Sequence, residues 1–202
     1  MFEHHTPLLF SETEGHAMFK QRASLLAALS ILLFVGAAAQ EGDARVGARR
    51  QEIDQSAQAA LEELFAAQAS TRDLYDRAVG YAVFTATKAG FIVSGGGGTG
   101  VAVNKSSGQR TYMRMGTGGI GLGIGAQRYS MIALFENVDR LESFISGGWD
   151  SSATAEAAAG QEGVAVRSSF IDGVAFFQLT DKGLMAHADV TGTRFWVIDE
   201  LK

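Results

Sequence analysis

Few residues in this 202-residue chain are equipped for chemistry. Beyond an N-terminal apolar run there is one histidine, His187, in Leu-Met-Ala-His-Ala-Asp. Asp189 follows two residues later, so a strand puts both on one face, where a carboxylate can orient an imidazole as general base. No nucleophile motif accompanies the pair, and a structural His187 is the simpler reading. Asp172, Asp181, Asp199 and Glu200 lack ligand spacing and the chain has no cysteine, so no metal centre and no cofactor are expected. The cations form a more suggestive pattern. In Gln109-Arg110-Thr111-Tyr112-Met113-Arg114, a strand places Arg110, Tyr112 and Arg114 on one face. Lys105 lies across the expected hairpin, and Lys88 and Arg128 lie beyond neighbouring turns. Together they make a basic patch with an aromatic in it, suited to anionic headgroups or phosphates. The alternative is a solvated strand face with cross-strand ion pairs.

Glycine supplies the other candidate. Thirteen of the 25 glycines fall between Gly90 and Gly125. Gly95 to Gly100 and Gly116 to Gly121 both match GxGxxG. The dinucleotide motif needs a helix after it and, about 20 residues on, an acid. Strand patterns follow both matches here, so a nucleotide site is not expected. Gly95, Gly96, Gly97 and Gly98 read as a surface loop whose amides can cradle an anion. Gly119, Gly121, Gly123 and Gly125 alternate with Ile120, Leu122, Ile124 and Ala126, which on one strand leaves a bare face open to close approach.

The elements that must hold these residues follow from periodicity. Arg49 to Ala67 carries apolar residues at three- and four-residue spacing, an amphipathic helix. Ser70 to Asp73 resembles an N-cap with an acid at the third helical position, opening a second helix from Thr71 towards Ala78. Strands are expected at Tyr81–Phe84, Phe91–Val93, Thr99–Lys105, Gln109–Met115, Gly119–Ala126, Tyr129–Phe135, Gly173–Leu179, Gly183–Ala188 and Thr193–Ile198. Thr87 to Gly90 and Ser106 to Gly108 read as turns, Val138 to Ile145 as a helix, and Ala153 to Val166 is ambiguous between helix and strand. The fold class is α+β: N-terminal helices packed on a strongly curved, mainly antiparallel, glycine-rich sheet or barrel-like core.

Composition bounds the function classes. Met18 to Ala39 has a basic start, a short apolar run and an Ala-Ala-Ala end, the pattern of a cleaved secretory signal. The expected organisation is a leader over residues 1–39, an amphipathic segment over 40–70, and an α+β domain over 71–202 that forms one unit with it. Beyond the leader, 15 Lys and Arg stand against 19 Asp and Glu, a balance that argues against a dedicated nucleic-acid binder but leaves room for a local basic patch. Export without cysteine means no disulfides and no lipid anchor at the cleavage site.

These segments resemble the SYLF family of actin- and lipid-binding domains from roughly Thr71 to Glu200. The resemblance rests on Ala78 to Phe84, on Lys88-Ala89-Gly90-Phe91 followed by Gly95 to Val101, and on Gly119 to Ala126 running into Tyr129 to Asn137. It closes with Ala159 to Gly163 and Phe176 to Leu184. Eukaryotic members are membrane adaptors for phosphoinositides, some fungal members bundle actin, and bacterial relatives are exported envelope proteins, often lipidated. The resemblance implies membrane contact through basic residues and an N-terminal amphipathic segment, with Lys88 in the matching basic position. The chain departs from the family pattern at Gln161, where proline is usual, at Tyr112, and in having no lipidation cysteine.

The leading expectation is a non-enzymatic protein of the periplasm or envelope surface that binds anionic phospholipid or another phosphate-bearing ligand. The binding residues would be Lys88, Gly95 to Gly98, Lys105, Arg110, Tyr112, Arg114 and Arg128. The alternatives are a structural or protein-interaction module of the envelope, with an envelope protein as partner, and a hydrolase using His187 and Asp189.

Overall fold

Apolar runs beyond position 80 form an antiparallel sheet, with seven strands among the described residues, and burial is continuous where both faces are covered, as at Met131–Phe135. The computed structural model describes residues 41–90, 93–120, 125–147, 169–181, 183–185 and 193–202. The chain divides into two units, Met1–Gly47 and Ala48–Lys202, and the second carries the sheet. The expected leader, Phe91 and Ile92, the Ala153–Val166 segment, Gln161, His187 and Asp189 lie outside the described residues.

Residues 41–67 are helical (α1). They are followed by α2 (Ser70–Arg77), β1 (Gly80–Gly90), β2 (Val93–Asn104), β3 (Arg110–Ile120), β4 (Gly125–Phe135) and α3 (Val138–Ile145). Then come β5 (Val174–Thr180), β6 (Gly183–Met185), β7 (Thr193–Val197) and a 3-10 turn at Asp199–Leu201. The sheet order is β6-β5-β4-β1-β2-β3-β7, antiparallel at every described pairing. β6 and β7 stand at opposite edges, so the sheet is open rather than barrel-like among the described residues.

Local chemistry sets several boundaries. The Asn104 side chain accepts from the amides of Ser106 and Ser107, and Gly108 takes φ +70°, which closes the β2–β3 turn. Asn137 caps α3 by accepting from the Arg140 amide, and Gly147 at φ +77° follows its end. The expected cap on α2 is not made. Its N-cap is Ala69, and the Thr71 hydroxyl donates instead to the Gln68 carbonyl at 2.6 Å.

The two sheet faces are covered differently. One carries Phe84, Met113, Met115, Met131, Phe135 and Phe195 and buries Leu141 and Phe144 of α3. The Phe144 ring lies 4.8 Å from Phe195 and 5.2 Å from Phe135. The other face carries the buried Val83, Val101, Ile132, Leu134 and Phe177, under the helical stripe Ile53, Ala57, Ala60, Leu61 and Leu64.

Two expectations are corrected here. The Thr87–Gly90 turn is strand: β1 and β2 pair from Gly80↔Asn104 to Gly90↔Ser94. Gly119 and Gly125 belong to different strands, β3 and β4, so the Gly119–Gly125 alternation is not one bare strand face. Residues 121–124 lie outside the described residues.

The close approach falls on β2 instead. A Cβ on Gly96 would stand 2.6 Å from the Thr87 carbonyl oxygen, on Gly98 2.7 Å from the Ala86 Cα, and on Gly100 2.5 Å from the Phe84 ring. Gly95 and Gly118, paired across β2 and β3 and facing the opposite side, have nothing within 4 Å of where a Cβ would stand. Gly98→Ala and Gly100→Ala should therefore each destabilise by about 2 kcal/mol or more through overpacking. Gly95→Ala and Gly118→Ala should stay within about 0.5 kcal/mol of wild type, as open surface positions do. Urea denaturation of the four variants measures the contrast.

Candidate anion-binding surface

Register decides which of the expected residues can act together. The row Ala175–Leu134–Tyr81–Val103–Arg110 crosses the sheet from β5 to β3, and the next same-face row is Phe177–Ile132–Val83–Val101–Tyr112. Beyond it come Ser130–Thr85–Thr99–Arg114–Trp196 and then Arg128–Thr87–Gly97–Gly116–Arg194. All four rows share one face, because each strand advances by two residues between rows.

The first two rows lie under α1. Asp54 reaches down from that helix: one carboxylate oxygen is 2.8 Å from the Arg110 guanidinium, and the other accepts from the Tyr112 hydroxyl at 3.1 Å. The Arg50 guanidinium lies over the Tyr112 ring, 5.7 Å from its centroid, and also donates to the Lys202 carbonyl. Burial raises the Tyr112 phenol above its usual pKa, and the Asp54 carboxylate beside it pushes the same way. Burial likewise raises Tyr81, with Tyr75 next to it. For Arg110, burial works against the charge, but the hydrogen bond and charge of Asp54 outweigh it and the pKa is raised.

The outer two rows are different. Arg114, Arg128, Arg194 and Thr87 are exposed, Thr85, Thr99 and Ser130 are half-buried, and no acidic residue stands on these rows. Among the described residues, no ion pair or side-chain hydrogen bond engages Arg114, Arg128 or Arg194. Trp196 is 46% exposed. Arg114 and Trp196 are direct cross-strand partners, and Arg194 is the diagonal neighbour of Arg114, about 7–8 Å away. Arg128 lies four strands from Arg194 in its row, roughly 19 Å at about 4.8 Å per strand.

The expected patch is thus divided. Arg114 and Arg128 share the open half-face. Arg110 and Tyr112 share its orientation but serve as the seat of α1. Lys105 sits in the β2–β3 turn and donates to the carbonyls of Tyr75 (2.6 Å) and Asp76 (3.3 Å), packing its ammonium 4.5 Å from the Tyr75 ring centroid. That contact satisfies the C-terminal end of α2. Lys88 stands in the row Gln127–Lys88–Gly96–Thr117–Thr193, on the opposite face of the sheet. Gly95 to Gly98 are not a loop. They lie mid-strand between β1 and β3, where backbone groups are directed to neighbouring strands and cannot form an anion nest.

Arg194 and Trp196 were missed by the sequence reading. Their signal was present in Thr193-Arg194-Phe195-Trp196-Val197, whose alternation puts Thr193 and Phe195 inside and Arg194 and Trp196 outside. The nearness of that pair to Arg114 depends on the β3–β7 pairing, which the local pattern does not contain.

No protein-family model matches the chain. The chain is 36% identical over 152 residues to Beta cell expansion factor A of Aeromonas veronii, an alignment covering 75% of this chain and 58% of that protein. The chain therefore spans less than two thirds of the length of the curated relative it matches.

The Asp54 cluster makes a pH prediction. The folded state holds the Tyr112 and Tyr81 protons at pH values where the unfolded chain releases them, near 10. Their contribution is complete below that pH and is lost as pH rises through the folded values. Chemical denaturation between about pH 8 and about pH 11 should show falling stability, less steeply in Tyr112→Phe. At neutral pH, Asp54→Ala should destabilise by about 1–3 kcal/mol, because it strips partners from Arg110 and Tyr112 together.

Proposed function

We propose that this chain is a SYLF-type, non-enzymatic protein of the cell envelope that docks on anionic lipid surfaces through the open half of its sheet. The observation that carries the reading is charge placement. The chain has a formal net charge of −5, yet its one helix-free half-face, among the described residues, carries Arg114, Arg128 and Arg194 and no acid. Complementarity to phosphate-rich surfaces follows from that arrangement.

The SYLF resemblance implies contact through an N-terminal amphipathic helix. In this chain the apolar stripe of α1 is already occupied: Ile53, Ala57, Ala60, Leu61 and Leu64 are buried. The sheet is therefore the better candidate for contact. Among the described residues, no helix is long and apolar enough to cross a membrane, and peripheral docking requires none. The similar protein from Aeromonas veronii is named for an effect on beta cells and not for a ligand, so the chemistry is read from this surface.

The test is sedimentation with phosphatidylglycerol and phosphatidylcholine vesicles. Binding should require the anionic lipid and weaken as salt rises. Each arginine near such a surface contributes about 1 kcal/mol, so joint neutralisation of Arg114, Arg128 and Arg194 to Gln should weaken binding by about 100-fold. The same change at Arg49, Arg72 and Arg77, on the helices, should have little effect. Equal loss from both triple variants would mean that net charge acts and not this face.

A further inference from the structure

We infer that Trp196, seated on Gly116 and flanked by Arg114 and Arg194, is the side chain that enters the interfacial layer of an anionic bilayer while the two arginines take headgroup phosphates. The inference rests on the lipid-surface reading above and adds the point of insertion.

Trp196 stands apart in burial. Among the described residues the exposed large hydrophobics are Trp196 at 46% and Val138 at 41%, and Val138 begins α3, the helix packed on the other face. The strand does not need this indole for its core, since Thr193 and Phe195 make the inward contacts of β7. A tryptophan left half in water on an otherwise polar strand face is out of place for folding. It suits a membrane interface, where an apolar ring with a polar N–H is favoured.

The seat is specific. A Cβ on Gly116 would stand 3.1 Å from Cη2 and 3.3 Å from Cζ3 of Trp196. The far edge of the ring therefore rests over the neighbouring strand's bare backbone, and a larger residue at 116 would displace it. Next to this seat, Gly95 and Gly118 leave the sheet floor open, with nothing within 4 Å on the side a Cβ would take. A flat surface can approach that floor closely. Arg114 lies directly across from the indole on β3, and Arg194 lies two residues before it on β7. Two guanidiniums beside one aromatic ring match a lipid's phosphate layer lying just above its acyl boundary. Charge complementarity commits the site to a lipid surface rather than to a neutral partner.

The chain has two tryptophans, so Trp149→Phe leaves Trp196 as the sole reporter. Should that variant fold poorly, the difference between wild-type and Trp196→Phe spectra isolates the same signal. Emission would be read with phosphatidylglycerol vesicles, phosphatidylcholine vesicles and soluble glycerol phosphate, with brominated lipid as quencher. The expected result is a blue shift and bromolipid quenching with the anionic vesicles alone. Trp196→Ala should weaken sedimentation at least about tenfold, as loss of a half-buried indole implies. Vesicles that bind the protein while Trp196 emission and quenching stay unchanged would overturn the insertion point and leave the lipid reading standing. A full shift with glycerol phosphate would overturn it in favour of a free phosphate ligand. Failure to sediment with any vesicle would overturn both.

Discussion

One carboxylate determines which half of the sheet is covered. Asp54 holds Arg110 and Tyr112 at once, and both stand at the β3 end of adjoining rows. An unpaired carboxylate here would be costly, because Asp54 is mostly removed from water. The register of α1 on the sheet is thereby tied to two residues on one strand. The buried helical stripe from Ile53 to Leu64 then belongs to the same face as the apolar row of Val83 and Val101, and the arginines of the rows beyond are exposed. The separation of a structural cation, Arg110, from exposed cations, Arg114 and Arg194, follows from that placement.

Glycine works in two ways on the same strand. On the α3 side, Gly96, Gly98 and Gly100 leave no room for a Cβ against β1, and the core around Phe84 and Phe144 closes there. On the other side, Gly95, with its β3 partner Gly118, leaves a bare floor near Trp196. Alternation along β2 assigns these roles, since successive residues face opposite sides. Packing and surface therefore share a segment but not a face. The GxGxxG matches reflect glycine density in strands and have no phosphate-loop geometry.

Features with local signals were legible in the sequence. The helix at Val138–Ile145 was marked by its apolar face, the turn at Ser106–Gly108 by small polar residues and glycine, and the α1 stripe by its spacing. The α+β class followed from the same signals. What failed was non-local. Glycine at Gly95–Gly98 punctuates a sequence, so it read as a loop, but strands on both sides hold it extended. Lys88 was assigned to a turn, and continuation of β1 through Gly90 put it on the other face from Arg114. Lys105 and Arg110 looked like surface charge because their partners, the end of α2 and Asp54, are distant in sequence. Arg194 and Trp196 joined the candidate surface only through the β3–β7 pairing.

The central claim is that the open half of the sheet, and not a helix, meets the ligand surface. The chain has no cysteine, so single cysteines can carry an environment-sensitive label at chosen exposed positions. Thr87 lies on the open half, Glu62 on the outer side of α1, and Glu142 on α3. With phosphatidylglycerol vesicles, the label at Thr87 should leave water while those at Glu62 and Glu142 remain solvated. A label at Glu62 that enters the bilayer while Thr87 stays in water would contradict the account.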